Sequence, residues 1–331
     1  MKKIAITTGD PAGIGPEVVK KCFSQYYLQD NVAYIIYGDD FLPPGFSFIR
    51  HNKAPGSRQA GKKEIMIIDN PGQIDGSCQL YAVMFKAQDV TPGKPNRNSG
   101  KISYDILKRV VADIKKYDID ALVTSPVSKT AIREFEPDFI GHTEFLAREF
   151  GYERFVMNFV SHEIDIALLT THTALKKVTE QIREELIIPK MRLIYEFALR
   201  RRNNPKIALL GLNPHCGEDA AFGEEENILQ NALDKLREEG ILIDGPFPAD
   251  SFFRYRLRDY HQVIACYHDQ GLIPFKLIAG ERGVNVTIGL PFLRTSVDHG
   301  TAYDIAGKFI ASPYSMLSAL KLADDYIVKG D

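Results

Sequence analysis

Two rhythms of apolar positions alternate along this chain. Short, nearly unbroken apolar runs such as IAIT (4–7), VAYIIY (32–37), ALVT (121–124), IDIALL (164–169), IALLG (207–211) and VIAC (263–266) read as strands buried on both faces. Between them the spacing turns helical: Ile102, Ile106, Val110 and Ile114 recur every fourth residue, and Leu107 and Val111 widen the stripe. The pattern predicts strands over 2–8, 32–38, 64–69, 120–124, 155–161, 163–171, 206–213, 261–267 and 283–289. It predicts helices from Pro16, from Asn98, over 144–150 with Thr143 as N-cap, over 179–202 with a kink or break at Pro189, over 224–239 and over 313–329. The Pro/Gly-rich passages 42–57 and 245–251 read as loops, and His268-Asp269-Gln270-Gly271 as a turn. Strands alternating with helices make this an α/β chain with a largely parallel sheet.

At 331 residues, 44% of them hydrophobic, the chain exceeds one usual domain, so two are expected. A formal net charge of -2 with dispersed Lys and Arg argues against a nucleic-acid partner. No apolar run approaches the roughly 18 residues of a membrane span, and the MKK start leads straight into a strand pattern, so a soluble cytoplasmic protein is expected. Cys22, Cys78, Cys216 and Cys266 show no CxxC spacing; Cys216 and Cys266 lie near histidines, yet small buried hydrophobes are the favoured reading.

Three buried runs end in histidine: 164–171 at His172, 206–214 at His215 and 261–267 at His268. Ligands of open α/β sheets bind at the carboxyl ends of strands, and three imidazoles delivered there suit zinc or a similar divalent ion. Asp269 and Asp250 are placed to orient a ligand or add charge, whereas His162 and His261 carry only the structural reading of a lone histidine. Glu224, Glu225 and Glu226 fit the positive end of a helix dipole and are read as structural charge. GDPAGIGPEV (9–18) lacks the GxGxxG order, and Asp10 would repel a phosphate, so a structural turn with one useful carboxylate is at least as good a reading as an anion cradle. His142 and Thr143, at a helix start, could take a phosphate or serve only as a cap.

Taken in order, ITTGDPAGIGPEV, SPVSKT, GHTEFLA, TTH, GLNPHCGEDAAFGEEE, YHDQGLIPFK and GVNVTIGLPFLRTSVDHGTAYDIAGK resemble the 4-hydroxythreonine-4-phosphate dehydrogenase family of vitamin B6 biosynthesis, over about residues 3–310. The 298–308 stretch is also similar to the adenosine-binding loop of isocitrate and isopropylmalate dehydrogenases. The resemblance implies two α/β/α domains with a cleft, isocitrate/isopropylmalate dehydrogenase-like and without a Rossmann fingerprint. A discontinuous domain over 1–130 and 280–331 would carry the dinucleotide loops, and 131–279 would carry metal, substrate and dimer contacts.

By the same resemblance, His172, His215 and His268 match metal ligands, with His268 supplied by the neighbouring subunit of a homodimer. His142, Thr143, Lys276, Asn285 and Arg294 match substrate positions, and Asp298, His299, Gly300, Thr301, Ala302 and Asp304 the cofactor loop. Lys276, Asp250 and Asp269 are the candidate acid–base groups. The expected cofactors are NAD, with NADP as the alternative, and a divalent metal, zinc first and cobalt or magnesium after it. The expected reaction oxidises and decarboxylates 4-phosphooxy-L-threonine to 3-amino-2-oxopropyl phosphate. The alternatives are a paralogous dehydrogenase of a phosphorylated sugar acid such as 4-phosphothreonate, and a non-catalytic metal- or phosphate-binding relative.

Overall fold

The computed structural model describes residues 1–39, 42–50 and 63–329. The chain forms two compact units, one from Met1–Gly151 with Pro291–Lys329 and the other from Tyr152–Leu290. The expected edges lie elsewhere: residue 130 falls inside a helix at Lys129–Arg133, and residue 280 opens a 3-10 turn at Gly280–Arg282.

The first unit opens with β1 (Lys2–Thr7), α1 (Gly15–Gln25), β2 (Val32–Gly38), β3 (Phe46–Arg50), β4 (Lys63–Ile67) and β5 (Leu80–Met84). It continues through α2 (Arg97–Tyr117), β6 (Ala121–Thr124), α3 (Lys129–Arg133) and α4 (His142–Phe150). The second unit holds β7 (Val156–Val160), β8 (Asp165–Leu168), α5 (Glu184–Arg201), β9 (Ile207–Leu210), α6 (Gly217–Ala220), α7 (Glu225–Glu238), β10 (Asp244–Phe247), α8 (Ala249–Tyr255), β11 (Gln262–Ala265), α9 (His268–Ala279) and β12 (Val284–Ile288). The chain then completes the first unit with β13 (Leu293–Val297) and α10 (Tyr314–Lys329).

In the first unit the strand order is β13-β6-β1-β2-β5-β4-β3, parallel throughout. Its central strands are apolar on both faces because α1 and α10 pack together while α2 also covers β1 and β2; every residue of β2 is buried. An Asn96–Ser99 capping box starts α2, which explains why the helical spacing begins there so cleanly.

In the second unit the order is β10-β9-β11-β8-β7-β12, with β8, β11 and β9 adjacent and parallel and the β8–β7–β12 edge antiparallel. β11, the expected interior strand, is fully buried between β8 and β9. The carboxyl ends of three neighbouring strands therefore lead into His172, His268 and His215.

Several local expectations are corrected. Phe46–Arg50 is a strand, β3, within the passage read as loop, whose remainder at 51–57 lies outside the described residues. α5 runs without a break at Pro189, because the carbonyl that proline leaves unbonded belongs to exposed Glu185, within reach of water. Asp250 sits in the first turn of α8, not in a loop. His268 to Gly271 form the first turn of α9, not an isolated turn. Gly271 is there for packing: a Cβ would stand 2.9 Å from Ile166 Cγ2 and Leu168 Cδ2, so its absence lets α9 lie close on β8.

Candidate active site

In the first unit, Arg294 projects from β13 and is 4% exposed. Its Nη1 donates to Thr143 Oγ1 at 3.2 Å and its Nη2 to Thr124 Oγ1 at 2.9 Å. Thr143 is therefore not the cap of α4; extended Gly141 (φ 173) takes that position without any side-chain cap, and the threonine hydroxyl belongs to the guanidinium. Lys129 reaches over the same helix start, its Nζ 3.5 Å from where a Cβ on Gly141 would stand.

Burial, followed by the positive charges of Arg294 and Lys129, pushes the His142 imidazole down to about 3, so it is neutral near pH 7. Burial also pushes the Arg294 guanidinium down to about 10, with Glu144 opposing, and it remains cationic. Counting Arg294, Lys129, Glu144 and neutral His142, the cluster keeps one net positive charge. A cationic fork, two hydroxyls and an uncapped helix start suit a phosphate or carboxylate.

The glycine-rich turn beside β1 serves the neighbouring loop. Asp10 accepts from Ala12 N at 2.8 Å and from Tyr303 Oη at 2.6 Å, Ile14 N donates to Thr301 O at 3.0 Å, and Glu17 Oε2 accepts from Gly307 N and Phe309 N at 3.2 Å. A Cβ on Gly13 would stand 2.9 Å from Thr301 O, so only glycine permits that approach. Its polar groups shape the loop holding Asp298, His299, Gly300, Thr301, Ala302 and Asp304, with Ala302 in a left-handed conformation (φ 43). A cavity of about 310 Å³ opens beside this loop, lined by Pro16, Glu17, Lys20, Asp39, Gly307 and Phe309.

In the second unit, the His172 and His268 rings lie 6.2 Å apart, centre to centre, at 42°. His268 Nδ1 is 2.7 Å from Asp269 Oδ1, a contact that can fix the tautomer and leave Nε2 for a ligand. His215 stands in a left-handed turn that runs through His215 (φ 52), Cys216 (54), Gly217 (70) and Glu218 (47), and α8, which carries Asp250, packs on that turn. Lys276 lies exposed two turns along α9 from His268. Asn285 sits on β12 with its Oδ1 buried and unpartnered.

Imidazole nitrogens are donors of the type a zinc-like ion takes, but the 6.2 Å between the His172 and His268 ring centres exceeds the roughly 5 Å that two imidazoles at about 2.0–2.1 Å on one tetrahedral ion would show, so one chain does not put both rings on the same ion. Among the described residues, no three His, Cys, Asp or Glu side chains of one chain gather closely enough to hold an ion. Cys22 and Cys266 are buried, whereas Cys78 and Cys216 are only partly so; Cys266 Sγ donates to Leu210 O at 3.2 Å, and burial, followed by Glu226, pushes Cys216 up to about 11.

Sequence reasoning missed Thr124, Lys129 and Glu226. Glu226, read as helix-dipole charge, is 5% exposed and accepts from Asn213 N at 2.7 Å. A run of three glutamates gives no sign of which one turns inward.

The family described as "Pyridoxal phosphate biosynthetic protein PdxA" matches residues 47–323. The chain belongs to the PdxA family. This PdxA-family chain is 40% identical over 326 residues to the 4-hydroxythreonine-4-phosphate dehydrogenase of Sulfurihydrogenibium sp. (strain YO3AOP1), covering 98% of each. It is 35% identical, over 97% of this chain and 96% of the relative, to an Oceanobacillus iheyensis protein provisionally named D-threonate 4-phosphate dehydrogenase. The crystal structure of 4-hydroxythreonine-4-phosphate dehydrogenase from Klebsiella pneumoniae superposes with a TM-score of 0.80 at 30% identity, covering 98% of this chain and 99% of that one. A β-decarboxylating dehydrogenase from Thermococcus kodakarensis shares the fold at a TM-score of 0.54 and 16% identity, covering 99% of this chain and 84% of that one. This chain thus shares its α/β architecture with that β-decarboxylating dehydrogenase, in line with the expected fold class.

Proposed function

We propose that this chain is an NAD-dependent, divalent-metal-dependent dehydrogenase that oxidises and decarboxylates 4-phosphooxy-L-threonine to 3-amino-2-oxopropyl phosphate. The observation that carries the reading is the placement of His172, His268 and His215 at the carboxyl ends of three adjacent parallel strands in a PdxA-family chain. His172, His215 and His268 would hold the ion, zinc first, and residues 298–304 the dinucleotide, NAD before NADP; bound there, the two supply Lewis acidity and a hydride acceptor.

The chain's own residues do the rest. Arg294, Thr143 and neutral His142 hold an anionic end of the substrate, and Lys129 adds charge at the same helix start. Asn285 offers a buried carbonyl oxygen to a substrate hydroxyl or amine. Lys276, Asp250 or Asp269 accepts the alcohol proton as the carbon–hydrogen bond gives up its hydride. The product is a β-keto acid, which releases its carboxylate as CO₂. The same reading makes the enzyme a cytoplasmic homodimer with His268 serving the neighbouring copy's site; among the described residues no helix is long and apolar enough to cross a membrane.

A phosphorylated sugar-acid substrate is the second reading, supported by the similarity to the Oceanobacillus protein. Side-by-side NADH formation from 4-phosphooxy-L-threonine and 4-phospho-D-threonate separates the two. The first reading expects the amino substrate to be preferred in kcat/KM; preference for the hydroxy acid would replace it with the second.

A further inference from the structure

Each strand end that leads to a candidate histidine ligand is tied down by a polar side chain that is not itself a candidate ligand. Thr170, 1% exposed, donates both its N–H (3.1 Å) and its Oγ1–H (2.8 Å) to Cys266 O, which fastens the end of β8 to the end of β11 two residues before His172. Gln270 bridges the other gap. The β11–β9 ladder ends at Ile264↔Leu209, and beyond it the Gln270 amide donates from Nε2 to Gly211 O at 2.7 Å and accepts at Oε1 from Cys266 N at 2.7 Å. Glu226 Oε1 accepts from Asn213 N at 2.7 Å and Asn213 Nδ2 at 3.3 Å, anchoring the segment that runs into His215.

The Gln270 tie lies beyond the last β11–β9 ladder pair, and the Thr170 hydroxyl adds to backbone bonds that carry the β8–β11 pairing on to Cys266. Cys266 is held on both sides, its carbonyl by Thr170 and its N–H by Gln270, and the next residue but one is His268. The turn after Asn213 holds non-glycine residues at positive φ, a conformation L side chains keep only when the surroundings impose it.

We propose that Thr170, Gln270 and Glu226 are positioning residues that fix the mutual placement of His172, His268 and His215. The inference rests on the reading that these histidines hold a divalent ion. If His268 serves the neighbouring copy, the same ties fix the spacing between the two half-sites that one chain contributes.

The test uses the full-length protein and zinc or cobalt alone, measured by competition with a chromogenic chelator and by the cobalt absorption spectrum, with melting of the metal-free proteins alongside. Thr170→Val and Gln270→Met should bind the ion roughly 10- to 100-fold more weakly and alter the cobalt spectrum, whereas Thr170→Ser, which keeps the hydroxyl, should stay within about twofold of wild type. Should Gln270→Met fail to fold, the Thr170 pair decides alone. A wild type that binds no ion, or binds it equally well after His172→Ala, overturns the metal reading and this inference with it. A wild type that binds through His172 while Thr170→Val and any folded Gln270→Met match its affinity overturns the inference alone.

Discussion

Arg294→Lys keeps the charge in the first unit's anion cluster and removes the fork. The guanidinium is 4% exposed and spans Thr143 at 3.2 Å and Thr124 at 2.9 Å, which holds its fork in one orientation. A lysine ammonium has no planar pair of donors with which to span two hydroxyls and still grip an oxyanion. One charge-assisted hydrogen bond to the substrate is then lost, worth about 1.5–3 kcal/mol. That converts to a fall in kcat/KM of roughly 10- to 150-fold, at about 1.4 kcal/mol per tenfold. The KM for NAD should stay within about twofold, because the residues expected to hold the dinucleotide lie in a separate loop. Steady-state NADH formation with each substrate varied in turn measures both, and a melting curve of the variant shows whether the buried site is intact. A folded Arg294→Lys enzyme with kcat/KM within about threefold of wild type would remove Arg294 from substrate binding and leave it a structural cation.

Two further perturbations test the scaffold. Asp324 accepts hydrogen bonds from Tyr26 and Tyr34, and burial, its main perturbation, pushes its carboxyl up to about 6. A folded-state value raised above the unfolded one gives stability that is full below about pH 4 and lost as pH rises through about 6, roughly 1–2 kcal/mol once solvent screening is allowed for. Asp324→Asn should remove that part of the pH dependence of the unfolding midpoint, and an unchanged profile would contradict it. Gly271→Ala adds a methyl 2.9 Å from Ile166 Cγ2 and Leu168 Cδ2. Overpacking of about 1–3 kcal/mol set against a helix-propensity gain of about 1 predicts a net loss of up to about 2 kcal/mol by denaturant titration; a stabilised variant would mean that α9 is not held close to β8.

Much of the fold was legible because the apolar runs are too short for helices and are bounded by turn residues, so length settles what period does not. Val32–Gly38 emerged with its expected limits, while β8, β9 and β11 are shorter than the expected 163–171, 206–213 and 261–267 runs and stop three to five positions before their histidines. What escaped depends on which way a residue points or what stands near it in space. Gly271 carries the signature of a turn, yet its missing Cβ serves helix–sheet packing. Thr143 carries the signature of a cap, yet Arg294, 151 residues away, takes its hydroxyl. β3 was hidden because the Pro43-Pro44-Gly45 approach reads as loop and only five residues follow in the strand. Glu226 was indistinguishable from Glu224 and Glu225 until its burial against Asn213 was known.

The central claim, metal-assisted dehydrogenation at the histidine-bearing strand ends, is tested most directly by one measurement. NADH formation from 4-phosphooxy-L-threonine is followed with untreated protein, after chelation, and after zinc, cobalt or magnesium is added back, with His172→Ala treated alongside. The account predicts turnover that chelation abolishes and metal restores in wild type but not in His172→Ala. Undiminished turnover by the chelated protein, or full restoration of His172→Ala, would contradict it.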